Sequence, residues 1–424
     1  MSATLKFFLG SRTQRFIGFA LAITIGQGSM LVLQTLLMMR GYSEVVGVLG
    51  LGLAILSFIQ WIADWGGAIL LARVSPVSKL NFTLADAVLA RFVISLPLSL
   101  AFLMIVNWQF SANDFAFGML LSGLAVFPVW ACNITGYLDA QRAGASVGPL
   151  PGLPWLFASA ATFIDIIIFG LDLSFLNGLI IGGSFAIGCA ICVLVQHCYA
   201  RSQSDSLGIA SLSRHGYSNY IREGAYFCIG DIPAQFYNRA LLVVVSANFA
   251  GEVLGAYVFS RQVNSALVQI ISVVRRVEIS AVIKVVTQNR FSLQTLIATQ
   301  PISLSVAAVL VIAAGTWNGC LSLGVLCDTF SEKSLGLLAF VSIFVLSVPA
   351  WTLASLFGQV LLLRGHLKYY SLVASGATCV ACITSLFAAP YFGVWSIVVV
   401  DLLLFAVQSY SFWRLADKRR ILCP

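Results

Sequence analysis

The sequence predicts an all-α polytopic membrane protein of twelve transmembrane helices, and three observations carry the prediction. Hydrophobic residues fill 59% of the 424 positions and charged residues only 9%, against roughly 25% charged in soluble domains. Mean hydropathy is +0.95, and nearly every window of about 20 residues is apolar enough to cross a bilayer. Basic residues collect at alternate junctions between the apolar runs, as the positive-inside bias requires. A porin-type barrel is excluded, because its strands read as short alternating segments.

The spans fall in order at 16–39, 45–72, 82–106, 115–137, 152–170, 174–198, 223–248, 254–280, 292–316, 336–363, 369–389 and 394–413. The first follows the basic start MSATLKFFLGSRTQR and lacks a small-residue cleavage site, so it reads as a full span and not a signal peptide. With the N-terminus inside, 19 of the 24 Lys and Arg residues fall on the cytoplasmic side, among them Lys6, Arg12, Arg15, Arg73, Lys79, Arg142, Arg364, Lys368, Arg414 and Lys418. Only Arg40 and Lys333 fall outside, and Arg91, Arg239 and Arg261 lie within spans. Shifting the frame by one span destroys this asymmetry, so both termini are expected in the cytoplasm. The net charge of +8 is therefore a matter of topology and not a nucleic-acid footprint. The longest external loop, 317–334, is too short to hold a catalytic domain.

The only long polar stretch, ARSQSDSLGIASLSRHGYSNYIREG, divides the chain into an N-terminal six-helix lobe (1–199), a cytoplasmic linker (200–222) and a C-terminal six-helix lobe (223–424). Both halves start from the cytoplasm, which suits lobes related by a pseudo-twofold along the membrane normal. EVVG at 44–47 recurs as EVLG at 252–255, each opening the second span of its half.

Polar residues inside the spans form stripes. Span one presents Thr24, Gln27, Gln34 and Thr35; span two presents Ser57, Gln60 and Asp64 at i, i+3, i+7. Span seven carries Asp231, Gln235, Asn238 and Arg239, and span eight Tyr257, Arg261, Asn264 and Ser265, with Gln262 beside Arg261. A stripe at this depth faces protein or water and not lipid. The four helices either line one cavity between the lobes or make interhelical hydrogen bonds inside a packed bundle. Arg91, Arg239, Arg261, Asn238, Gln262, Asn264, Gln27 and Gln34 are the candidate substrate-binding residues. Asp64, Asp231 and Asp401 are candidates for ion coupling or structural charge pairs.

Asp64 interrupts SFIQWIADWGGAILLAR nine residues before Arg73, about 13 Å inside the membrane at 1.5 Å per residue. Arg91 lies at similar depth in span three, so the two are expected to pair. That carboxylate either stabilises the first lobe through Arg91 or touches substrate.

Other motifs are declined. The C-x-x-C pairs Cys189/Cys192 and Cys379/Cys382 sit mid-span without His or carboxylate neighbours, and read as packing residues and not metal ligands. Cys320 and Cys327 share an external loop and are a disulfide candidate. No nucleotide fingerprint appears, so neither ATP coupling nor any cofactor is expected. Pro233 should break or bend span seven.

GVLGLGLAILSFIQWIADWGGAILLAR resembles the second helix of polysaccharide transporters, and EVLGAYVFSRQVNSALVQI the matching helix of their second half. These belong to the multidrug/oligosaccharidyl-lipid/polysaccharide exporter superfamily. The resemblance implies two six-helix lobes around a cavity, multi-pass insertion in a bacterial inner membrane, and no enzyme activity. It also implies flipping of an undecaprenyl-diphosphate-linked glycan, such as an O-antigen unit, to the periplasmic leaflet, with a polysaccharide polymerase and chain-length machinery as partners beside the lipid bilayer. Arginines suit a diphosphate headgroup, but Asp64, Asp86, Asp165, Asp231 and Asp401 share the membrane with them. The rivals are a cation-coupled multidrug extruder, disfavoured because span one has no acid, and a lipid II-type flippase, which usually carries extra spans. A polymerase or ligase would need external acid–base groups.

Overall fold

In lipid every backbone N–H and C=O must be satisfied within its own segment, so long apolar runs fold as helices. The computed structural model describes residues 21, 24–71, 82–109, 114–140, 150–169, 174–203, 214–249, 251–287, 297–322, 339, 341–363 and 367–418. Among these the structure is helical, with turns and one antiparallel bridge between Asp114 and Ser174.

Among the described residues each expected span coincides with helix. Span one is a π-turn, Thr24–Gly28, running into Ser29–Met39; span two is Ser43–Asp64 with a short continuation, Gly67–Leu70. Span three is Leu84–Gln109, and span four comes in pieces: Phe115–Gly123, Val126–Ala131 and Thr135–Ala140. Spans five to eight are Leu153–Phe169, Phe175–Gln203, Arg214–Asn248 and Gly251–Thr287. Spans nine to twelve are Pro301–Ser322, Ser347–Leu363, Leu367–Phe392 and Trp395–Lys418. Eight stretches of described helix are long and apolar enough to cross a membrane. The chain is a multi-pass membrane protein.

Two compact units emerge, Met1–Arg40 with Val48–Ile229, and Gly41–Gly47 with Gly230–Pro424. In the first, spans four and six approach backbone to backbone. A Cβ on Gly178 would collide with the Phe115 carbonyl oxygen, and one on Gly182 with that of Met119. This is the small-xxx-small spacing that lets membrane helices touch. In the second, Phe412 stacks on Tyr370 at 5.1 Å over a core of Leu356, Val360 and Leu361. There the two E-V-x-G motifs also meet, for a Cβ on Gly255 would collide with the Ser43 carbonyl oxygen.

Three details depart from the sequence reading. Residues 200–203 and 214–222 are helical extensions of spans six and seven, and 204–213 lie outside the described residues. Tyr217, Tyr220 and Ile221, at i, i+3, i+4, give the second extension an apolar stripe that packs on Leu70, Phe82, Ala87 and Ala90. The helix of span seven runs unbroken through Pro233, since neighbouring groups in a bundle can satisfy the freed carbonyl. Asp86 caps a helix: Thr83 N donates to its carboxylate at 3.0 Å and Asp86 N donates to Thr83 Oγ1 at 3.1 Å, a reciprocal box at the start of span three.

Candidate functional site

The first unit builds its polar site where two helices break. Span two stops at Asp64 because Trp65 and Gly66 take left-handed backbone angles, φ 44° and 76°. Arg91 Nη1 lies 3.4 Å from Asp64 Oδ1, and Arg91 Nε donates to the Ala87 carbonyl at 3.3 Å. Gly67 leaves the room that this needs, for a Cβ there would sit 2.5 Å from Arg91 Nη1. Arg91 Nη2 has no hydrogen-bond partner among the described residues.

Asn133, in the break of span four, also reaches Asp64, its Nδ2 donating at 3.4 Å. Its Oδ1 accepts from Thr135 N and Oγ1 at 3.1 and 2.7 Å, capping the last piece of that span. Gln196 of span six closes the gap: it accepts from Ile134 N at 3.0 Å and donates to Thr135 Oγ1 at 2.8 Å. His197 Nε2 lies 2.9 Å from the Cys132 carbonyl oxygen. Side chains of span six thus satisfy the backbone groups that the break frees, the condition under which a broken helix persists in a membrane.

The second unit holds a tighter site on unbroken helices. Arg261 Nη1 lies 2.6 Å from Asp401 Oδ2, and Tyr237 donates its hydroxyl to Asp401 Oδ1. The Arg261 guanidinium lies over the Phe344 ring, 6.0 Å from its centre. Asp401 is wholly buried, whereas the Arg261 side chain keeps 18% of its exposure. The first pair is arranged the other way, Arg91 at 0% and Asp64 at 14%.

Of the sequence-derived candidates, Asp64 meets Arg91 and Arg261 meets Asp401. Asn264 turns away, donating to Ser347 Oγ at 3.2 Å. The Gln262 Nε2 and Gln34 Oε1 atoms are buried without hydrogen-bond partners among the described residues. The side chains of Gln27, Asp231, Asn238 and Arg239 lie outside the described residues. The sequence reading misses Asn133, Gln196 and Tyr237. The Asn-Ile-Thr of span four is a helix-start signal that could have found Asn133, but nothing local marks Tyr237. Gln60 donates to Cys189 Sγ and Gln196 to Cys192 Sγ, each at 3.2 Å, so the first C-x-x-C pair takes part in polar contacts. Cys327 lies outside the described residues.

The fold is shared with solved transporters. A crystal structure of MATE in complex with MaL6 matches with a TM-score of 0.63 at 11% identity, over 100% of this chain and 99% of that one. The MATE multidrug transporter DinF-BH, solved as a complex, gives 0.62 at 16% identity, over 100% and 98%. Lipid II flippase MurJ in its inward closed conformation gives 0.57 at 11%, over 99% and 88%. At such identities the likeness establishes the fold. No protein-family model matches the sequence, and no curated protein matches it.

Proposed function

We propose that the protein is a flippase of the multidrug/oligosaccharidyl-lipid/polysaccharide exporter superfamily, a transporter and not an enzyme. It moves an undecaprenyl-diphosphate-linked oligosaccharide, an O-antigen or related repeat unit, from the cytoplasmic to the periplasmic leaflet by alternating access. The observation that carries this reading is the partly exposed side chain of Arg261, a cation at membrane depth paired with a fully buried acid. By residue type a guanidinium suits a diphosphate, to which it can make charge-assisted, bidentate hydrogen bonds. A lipid II flippase with the same fold lends support. The basic residues orient the chain with the N-terminus, the 200–222 segment and the C-terminus in the cytoplasm of a bacterial inner membrane.

A second reading, a cation-coupled multidrug extruder, draws on the partly exposed carboxylate of Asp64 and on the multidrug MATE neighbours. Complementation of a flippase-deletion strain separates the two. Arg261→Ala and Arg239→Ala should each abolish surface glycan at matched protein level, and Lys should rescue only in part. Normal glycan in both alanine variants defeats the flippase reading; altered drug susceptibility with normal glycan selects the extruder. Labelling of His215→Cys in intact cells by an impermeant thiol reagent would overturn the orientation.

A further inference from the structure

Spans eleven and twelve leave an apolar groove of about 440 Å³ between them, lined by Leu372, Gly376, Val380, Leu403, Val407 and Ser411 among others. That volume lies in the range of small-ligand sites. The groove opens outward: Leu372, Val380, Leu403 and Val407 are 71%, 64%, 58% and 52% exposed. In a chain whose outer surface is bathed in hydrocarbon, those side chains meet lipid. From Leu372 to Thr384 the lining runs about 18 Å along the helix axis, more than half of a hydrocarbon core of about 30 Å.

One end of the groove is chemically distinct. Leu372, near the start of span eleven, and Ser411, near the end of span twelve, both line it. Three residues beyond Ser411 stands Arg414, exposed, its guanidinium 5.8 Å from the centre of the Tyr410 ring. Tyr410 packs against Trp413 at 6.1 Å, and Tyr369 is exposed three residues before Leu372. Aromatic rings of this kind mark the level of lipid headgroups. The sequence goes on through one acid, Asp417, to three bases, Lys418, Arg419 and Arg420, so this end keeps an excess of positive charge. An apolar channel thus ends under a cation at the interface.

We propose that this groove binds an anionic phospholipid of the bilayer, with one acyl chain along spans eleven and twelve and the phosphate at Arg414. The charge at the mouth selects the lipid: a zwitterionic headgroup brings its own ammonium beside the guanidinium, and an anionic one does not. The site is separate from the Arg261–Asp401 pair. Asp401 points to the buried face of span twelve, and Leu403 and Val407 to the outer one.

Gly376 is the place to fill the groove, because a Cβ there meets nothing within 4 Å, so Gly376→Phe can start its side chain without a backbone clash and place the ring between spans eleven and twelve. The full-length protein is purified in detergent and titrated with dioleoylphosphatidylglycerol or dioleoylphosphatidylcholine, and bound lipid is read by native mass spectrometry. Wild type should hold one phosphatidylglycerol at a concentration about fivefold lower than phosphatidylcholine. Arg414→Gln should erase that preference, and Gly376→Phe should remove both adducts; Leu372→Trp serves as a second filling variant, with melting curves confirming that each variant folds. Equal retention of both lipids by wild type overturns the proposal, as does phosphatidylglycerol binding unchanged in either filling variant. A dimer that Gly376→Phe dissolves, with no lipid adduct, would overturn it too and assign the groove to a second copy of the chain.

Discussion

The two buried ion pairs use the same residue types and are built in opposite senses. In the first unit the arginine is the hidden member and the acid keeps partial exposure; in the second the acid is hidden and the arginine is the accessible one. The first pair is long, 3.4 Å, and sits at a break in span two, with Asn133 as an additional donor. The second is short, 2.6 Å, and is clamped by Tyr237 from an unbroken helix. Coulomb attraction alone is about a third stronger at the shorter distance. Which partner is desolvated decides what a pair presents: the first offers a carboxylate and the second a guanidinium. Counting intramembrane charges would call the two equivalent.

The comparison breaks most readily at the second pair. Asp401→Ala leaves the largely covered, only partly exposed Arg261 guanidinium without its acid and should cost about 3 kcal/mol, the low end for a broken buried pair, visible as lost folded protein and a lower melting temperature in detergent. A variant as stable as wild type would mean that the short pair contributes nothing. A double-mutant cycle sharpens the contrast. Asp64→Ala with Arg91→Ala should recover much of the protein level lost in Asp64→Ala alone. Its coupling should fall toward the low end of about 0.5–3 kcal/mol, with Asp401→Ala and Arg261→Ala toward the high end. Additive losses at Asp64 and Arg91 would dissolve the first pair. The smallest effect is expected from Gly67→Ala, whose methyl would press on Arg91 Nη1; about 1 kcal/mol is expected, and an unchanged melting curve would show that the guanidinium has room to move.

Much of this was legible in the sequence. Span positions follow from hydropathy, and the Asp64–Arg91 pair from equal depth on adjacent spans. The breaks carry only weak local signals, because what holds them open is supplied by long-range partners. Span four opens at Asn133 only since Gln196, 62 residues from Ile134, takes up the freed donor. Pro233, the obvious local breaker, breaks nothing. Tyr237 was invisible for the same reason, its partner Asp401 lying 164 residues away. The Trp-Gly-Gly after Asp64 was a readable stop signal, and the Tyr217–Ile221 stripe a readable helix, yet both are drowned by the apolar composition around them.

Trp65 has a mechanical consequence. Left-handed backbone costs an L-residue with a side chain about 1–2 kcal/mol, and the indole helps to hold it, donating to the Ile221 carbonyl at 3.3 Å. Gly224 lies so close that a Cβ there would run into the ring. The corner therefore behaves as a preloaded spring under a latch, with the first turns of the Arg214–Asn248 helix as the latch. A displacement of those turns would pull the carbonyl from the indole and relax the corner beside Asp64, which would change the geometry of the looser ion pair without a ligand touching it.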